Sequence, residues 1–170
     1  MGAVMRRIFA LCLCIATVFC FSSCNSDDKE SLDILCELLV FSKGKISEPE
    51  GVYTTDAEEG DPAYFSEEMK KSLYGEKRAS ECFEIIEDCA VFVSGRGAEE
   101  LAVFKCYSRS DTDAVAAMCL ERSESLRVAL KQIKNQDTSK TTQIEIHGRY
   151  VLFSFMGRSE AIAEYFRELT

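Results

Sequence analysis

The sequence predicts an α+β fold: an antiparallel sheet of about four strands (two β-hairpins) covered by amphipathic helices, in the order α-α-ββ-α-ββ-α. Three observations lead there. Two pairs of strand-like runs are each joined by a short glycine-bearing turn, at Ser94-Gly95-Arg96-Gly97-Ala98 and at His147-Gly148. The segments around them repeat their apolar residues at helical spacing instead. With 46% hydrophobic and 29% charged residues, two prolines and nine glycines, the chain is composed like a folded protein, which excludes collagen-like and wholly disordered classes.

Each element has its own local reason. Ser31 to Phe41 sets Leu32, Leu35, Leu38 and Leu39 on one helical face, and Lys43-Gly44-Lys45 suits the end of that helix. Residues 47–63 hold Pro49, Gly51, Gly60 and Pro62 among acids with no base, and read as a loop. Ser66-Glu67-Glu68 opens a short helix that ends near Leu73-Tyr74-Gly75. Phe83 to Val93 reads as a strand, and its second half, Cys89 to Val93, is apolar on both faces, the mark of a covered central strand. Glu100 to Tyr107 returns as its hairpin partner. Ser110-Asp111-Thr112-Asp113 resembles a helix start and opens a long helix to about Lys134, followed by a polar connection from Asn135 to Thr141. Thr142–Ile146 and Arg149–Met156 make the second hairpin, with Ile144 opposite Val151 and Thr142 opposite Phe153. Ser159 caps a last helix striped by Ile162, Tyr165, Phe166 and Leu169.

In front of this domain, residues 1–23 read as a signal peptide. Arg6 and Arg7 form a positive start, and Ile8 to Phe21 is an uncharged apolar run of 14 residues, too short for a spanning helix. The run closes on Phe21-Ser22-Ser23-Cys24, which resembles the bacterial lipobox with Phe in place of the usual Leu. That resemblance implies a diacylglyceryl group on Cys24 and cleavage after Ser23. Cys20 suits the role less, because the bulky Phe19 precedes it. The predicted organisation is a signal peptide over 1–23, a polar tether over 24–30 and a single α+β domain over 31–170. A plain secretory signal and an uncut anchor are the alternatives. Two acyl chains at about 0.8 kcal/mol per buried methylene would hold the domain at a membrane without spanning it. Cleavage removes two positive charges from a net −9 and leaves about −11. So acidic a domain excludes non-specific nucleic-acid binding and attraction to anionic lipid, leaving the anchor to hold it at the bilayer.

Nine cysteines suggest a disulfide scaffold until they are sorted. Cys12, Cys14 and Cys20 belong to the leader and Cys24 to the lipid. Cys36, Cys82, Cys89, Cys106 and Cys119 remain, an odd number, so at least one thiol of the monomer is unpaired. Cys119 falls on a helical stripe with Val115, Leu126 and Ile133, and Cys106 alternates with Ala102 and Phe104, which suits buried thiols acting as small hydrophobes. Unpaired buried thiols in an exported protein point to a host living without oxygen.

Motifs that carry chemistry are sparse. His147 is the only histidine and precedes a turn glycine, so a turn role fits it better than general base catalysis. One histidine and no Cys-x-x-Cys complete no Cys/His zinc set. Ser94-Gly95-Arg96-Gly97 lacks the Lys-Ser/Thr of a phosphate loop. Counted as a calcium loop from Asp56, Glu58 falls at position three and Glu67 at twelve, but the glycine, Gly60, falls one place early and Glu67 belongs to a helix start. Tyr53, Tyr64 and Phe65 beside the acidic loop suit core packing better than a recognition surface. No catalytic, cofactor-binding or metal-ligating residue is therefore singled out, and no cofactor is expected.

The lipobox, Leu73-Tyr74-Gly75, Glu99-Glu100-Leu101-Ala102-Val103-Phe104-Lys105, the helix with Glu121-Arg122, and Gly148-Arg149-Tyr150-Val151-Leu152 occur in an order that resembles the DUF4358 family. These are uncharacterised lipoproteins of anaerobic Firmicutes. The resemblance spans roughly residues 30–169; a Tyr-x-Pro-like segment of the family before the final hairpin has no counterpart in Asn135–Thr141. It implies the localisation and fold, and no catalytic residues. The expectation is thus an extracytoplasmic, membrane-tethered domain that binds something or serves as part of an envelope complex. Its partners would be the membrane, through Cys24, and an envelope protein. The alternative is an envelope hydrolase with carboxylates in a cleft, which requires two convergent carboxylates with perturbed proton affinity.

Overall fold

A computed structural model describes residues 29–43, 51–94, 99–132 and 140–170. Among these, five α-helices and five strands form a mixed α+β structure around one antiparallel sheet. In chain order they are α1 (Ser31–Lys43), β1 (Val52–Thr54), α2 (Glu67–Tyr74), α3 (Glu76–Cys82), β2 (Ile86–Val93), β3 (Glu100–Cys106), α4 (Thr112–Gln132), β4 (Thr141–His147), β5 (Tyr150–Met156) and α5 (Ser159–Leu169). The sheet order is β1-β2-β3-β5-β4, so the two predicted hairpins join through an antiparallel β3–β5 pair.

Both faces of the sheet are covered. Leu101, Val103, Tyr150, Leu152 and Ala90 point to one side, where they meet Ile34, Leu35, Leu38 and Leu39 of α1 and Ile162 and Phe166 of α5. Cys89, Val91, Ala102, Phe104, Val151 and Phe153 point to the other, against Tyr74, Cys82, Val115, Met118 and Cys119 of α2, α3 and α4. A strand covered on two faces has no solvent side to alternate toward, which is why every residue of β3 and β5 is buried. Each large apolar side chain so placed contributes roughly 1.5–3 kcal/mol. The sheet is thus the middle of three layers, in keeping with the strand read as apolar on both faces at Cys89–Val93.

Several boundaries differ from the sequence expectation. The acidic segment 47–63 contains a fifth strand, β1, paired with β2 through Val52↔Phe92 and Thr54↔Ala90. A three-residue strand carries no detectable period, and its partner lies far along the chain. Gly51 admits it: its φ is +85°, and a Cβ there would collide with the Val93 carbonyl oxygen. Phe83 is no strand residue; it caps α3, which the sequence reading missed, and β2 begins at Ile86. A bulge between Ile86 and Asp88 then turns Ile86 to the α4 side along with Cys89 and Val91.

The second hairpin turns at Gly148-Arg149, so Ile144 pairs with Phe153 and Thr142 with Phe155. This is two residues from the expected register, a shift that keeps each side chain on its face and changes only its partner. Gly148, at φ +58°, supplies the positive φ wanted at the first position of a two-residue turn. Ser159 is the first residue of α5 and Arg158 holds the cap position, at φ 63°. The Ser159 hydroxyl instead donates toward the Met156 and Thr141 carbonyls (2.8 and 2.9 Å), which ties α5 to both strands of the hairpin. Ser108, not Ser110, caps the entry to α4, through a 3₁₀ turn over Arg109–Asp111. Gly44, Lys45, Gly95–Ala98 and Ile133–Thr138 lie outside the described residues, as does everything before Lys29.

Candidate functional site

Three places bring polar side chains together. The most enclosed lies at the start of β3. Glu100 is 0% exposed. The Tyr74 hydroxyl from α2 donates to its Oε1 (3.0 Å), and Arg122 from α4 donates to its Oε2 from Nε (2.8 Å) and Nη2 (2.7 Å). Burial pushes the Glu100 carboxyl above its ordinary range, against the pull of Arg122 and Tyr74. Burial, with Glu100 beside it, also pushes the Tyr74 hydroxyl well up, so Tyr74 stays a proton donor to the carboxylate.

Outside this cluster runs an open groove of about 370 Å³ lined by Tyr74, Gly75, Glu76, Lys77, Arg78 and Glu121. Arg78 pairs with Glu121, and its hydrogen bond holds the Glu121 carboxyl below the usual range. A glycosidase acid needs a carboxyl raised and open to substrate. In this cluster the raised carboxyl, Glu100, is enclosed in the core and the paired one in the groove, Glu121, is lowered; Asp56, raised by burial and then by Asp88, belongs to the loop after β1. The arrangement suits a structural ion pair beneath a charged surface.

The second cluster sits on the opposite face of β3. Lys105 is 4% exposed, with Nζ 3.4 Å from Glu87 and 4.0 Å from Asp88, and it faces the Tyr150 ring at 5.9 Å. Arg149 pairs with Glu87 and donates to the Cys106 carbonyl (3.2 Å). Some desolvation acts the other way, but Arg149 and Lys105 hold the Glu87 carboxyl below its ordinary range. Asp88 accepts the Ser31 N–H (2.9 Å), so a carboxylate from β2 caps the start of α1. The Tyr150 hydroxyl donates to the Lys29 carbonyl (2.7 Å). Together these contacts fasten the end of the predicted tether onto the sheet.

No family model, curated protein or solved structure matches this chain.

The third place is an apolar groove of about 350 Å³ between α1 and α5, lined by Cys36, Glu37, Val40, Phe41 and Tyr165. Phe41 stacks on Tyr165 at 4.7 Å, and the Arg158 guanidinium covers its ring at 5.2 Å.

The residues singled out by sequence are dispersed over the structure. Cys24 and Ser23 lie outside the described residues. His147 ends β4, and its Nδ1 shares a hydrogen bond (2.9 Å) with the Thr170 hydroxyl, which in turn donates to the Phe166 carbonyl at the end of α5 (2.9 Å). In the acidic loop, Asp61 accepts the Ala63 N–H (2.7 Å) and Glu67 pairs with Lys70, so their carboxylates serve a turn and a helix start. Among the described residues no group of three His, Cys, Asp or Glu side chains converges on a metal position. Phe65 is buried and stacks at 6.3 Å on Tyr53, which packs against the same core; Tyr64 is half-buried. The Glu100 network was not anticipated. Its members are separated in sequence by a helix and two strands, and no local spacing marks them.

All five described cysteines are free, with Cys36 exposed and Cys82, Cys89, Cys106 and Cys119 buried. Burial pushes the Cys89 and Cys106 thiols up to about 12. Cys36 is also raised, by partial burial and then by Asp33. Burial thus keeps Cys82, Cys89, Cys106 and Cys119 from acting as nucleophiles or ligands, whereas the exposed Cys36 remains open to a reagent that captures its thiolate fraction. In a chain begun at Lys29, native alkylation with iodoacetamide is therefore expected to modify Cys36 alone, and denaturation to expose all five of its cysteines. Intact mass counts the adducts; a native count above one would place a second thiol at the surface.

Proposed function

We propose that this chain is a lipid-anchored extracytoplasmic domain, attached to the membrane through Cys24, that binds or organises a partner at the outer face of the cell. The observation that carries the reading is the run Arg6-Arg7, Ile8–Phe21, Ser22-Ser23-Cys24, placed directly before a folded unit. The resemblance to the DUF4358 lipoproteins belongs to the same reading. Among the described residues no helix is long and apolar enough to cross a membrane.

The binding role is supported by what surrounds the polar clusters. Glu100 and Lys105 are held in ion pairs within the core, whereas the two grooves are open and carry mixed charge in one case and an apolar lining in the other. Open surfaces beside enclosed, mutually satisfied ionic groups suit recognition better than hydrolysis.

Mass spectrometry of protein extracted from the membrane fraction tests the anchor. The expected chain begins at Cys24 and carries a diacylglyceryl mass. A chain beginning near Met1, or an unlipidated soluble chain, would overturn it.

A further inference from the structure

The contacts that fasten Lys29 and Ser31 fix where the chain leaves the domain. Lys29 is held by Tyr150, and Ser31 by Asp88. Asp88 pairs with Lys105, Lys105 with Tyr150, and Tyr150 with His147, so the exit point lies at one end of the sheet. That end is completed by the Gly148-Arg149 turn and by Tyr107, whose N–H donates to the Ile85 carbonyl (3.1 Å). From Cys24 to Lys29 the backbone can reach at most about 18 Å, whatever path it takes. A lipid on Cys24 therefore leaves this end little room to turn away from the bilayer.

The same end presents amphipathic side chains. Tyr107 is 61% exposed although it directly follows the buried Cys106, and Arg109 is exposed two residues on. A tyrosine ring and a guanidinium are the groups that settle at a headgroup layer, the ring by its mixed polarity and the cation by bonding phosphate. Charges nearby are mixed, with Lys29, Arg109 and Arg149 beside Glu84, Glu87 and Asp111. This suits a zwitterionic surface better than an anionic one.

Resting on the lipid-anchor reading, we propose that this end of the sheet faces the bilayer, with Tyr107 and Arg109 in the headgroup layer, and that the opposite end projects away from the membrane. That opposite end holds Met156, Thr141 and the Arg158–Phe41 contact. The occupant of the Tyr107 end is thus a lipid surface, and the α1–α5 groove opens along a side that stays free of it.

Energy transfer to headgroup-labelled phosphatidylcholine vesicles tests this on the lipidated full chain. In a Cys36→Ser background, a fluorophore is placed at Ser110→Cys or at Val128→Cys. Both positions are exposed, Ser110 in the 3₁₀ turn that enters α4 and Val128 in the C-terminal part of that helix. The stretch of α4 from Thr112 to Val128 adds about 24 Å, so transfer is expected to be at least roughly two-fold stronger from position 110. Equal transfer, or stronger transfer from position 128, in protein whose mass shows the Cys24 lipid overturns the orientation alone. Protein without that lipid overturns the anchor reading and the orientation with it. In the lipidated Tyr107→Ser, Arg109→Ser variant the ratio is expected to fall while staying above one, since the short tether still holds this end near the bilayer. An unchanged ratio would remove these two side chains from the headgroup layer.

Discussion

Replacing Arg122 by Met is expected to lower the free energy of unfolding by about 3–5 kcal/mol at neutral pH, because it strands the Glu100 carboxylate in the core. Arg122 supplies both bonds to Oε2 of a side chain that is fully buried, leaving only Tyr74 on Oε1. The loss is expected to depend on pH. Burial already holds the Glu100 carboxyl above its ordinary range, and Arg122 is the larger of the two influences that pull it down. A carboxyl raised in the folded state favours folding below its unfolded value of about 4.3 and loses that contribution as pH rises through its folded value. Without Arg122 the folded value rises further, so the deficit is largest at neutral pH and shrinks as the medium is made acidic.

Urea unfolding near pH 5 and near pH 7.5 measures this difference directly. The Arg122→Met, Glu100→Leu double variant should recover most of the loss, since it removes both charges and leaves only the Tyr74 hydroxyl without its acceptor, at about 1 kcal/mol. An equal deficit at both pH values would mean that Arg122 acts through the packing of its aliphatic stem.

Phe104→Ala is expected to cost about 3–5 kcal/mol. The Phe104 ring is fully buried in β3, edge-on to Tyr74 at 5.8 Å and to Phe83 at 6.4 Å, and Phe83 is in turn edge-on to Phe65 at 5.6 Å. This chain of rings seats α2, α3 and the loop before them on the sheet. Its removal leaves a cavity that rigid neighbours on both sides cannot close. Leu120→Ala on the exposed face of α4 is the control, with an expected change within about 0.5 kcal/mol. A Phe104→Ala cost below about 1 kcal/mol would mean that the second helical layer is held elsewhere.

The elements legible in the sequence are those whose signal is local. The leucine stripe of α1, the Ser66 cap of α2 and the apolar face of α5 each lie within one segment and are where the residues predicted them, and the β4–β5 hairpin is in place with its register shifted by two residues. The buried thiols of Cys106 and Cys119 were legible for the same reason: their neighbours at periods of two and of three to four are apolar. Strand β1 was not, because its three residues sit among glycine and acids and gain their partner only from β2. α3 was missed because its Glu76–Cys82 run is short and its two buried residues, Ala79 and Cys82, are small. The polar clusters were illegible for a further reason. Glu100 looks like a charge at a hairpin end, and Lys105 like a charge at the other, until the layers above and below enclose them.

By itself the sequence determined the antiparallel α+β class and the places of α1, α2, β4, β5 and α5 along the chain. These follow from short-range patterns of hydrophobicity and from motifs read in one stretch. Only the tertiary structure decided that both faces of the sheet are covered, that Glu100 meets Tyr74 and Arg122, and that Asp88 and Tyr150 fasten the start of the domain. Each of these joins residues distant in the chain. A buried charge or backbone group must find its partner among whatever the packing brings within about 3 Å, and no local period encodes that meeting.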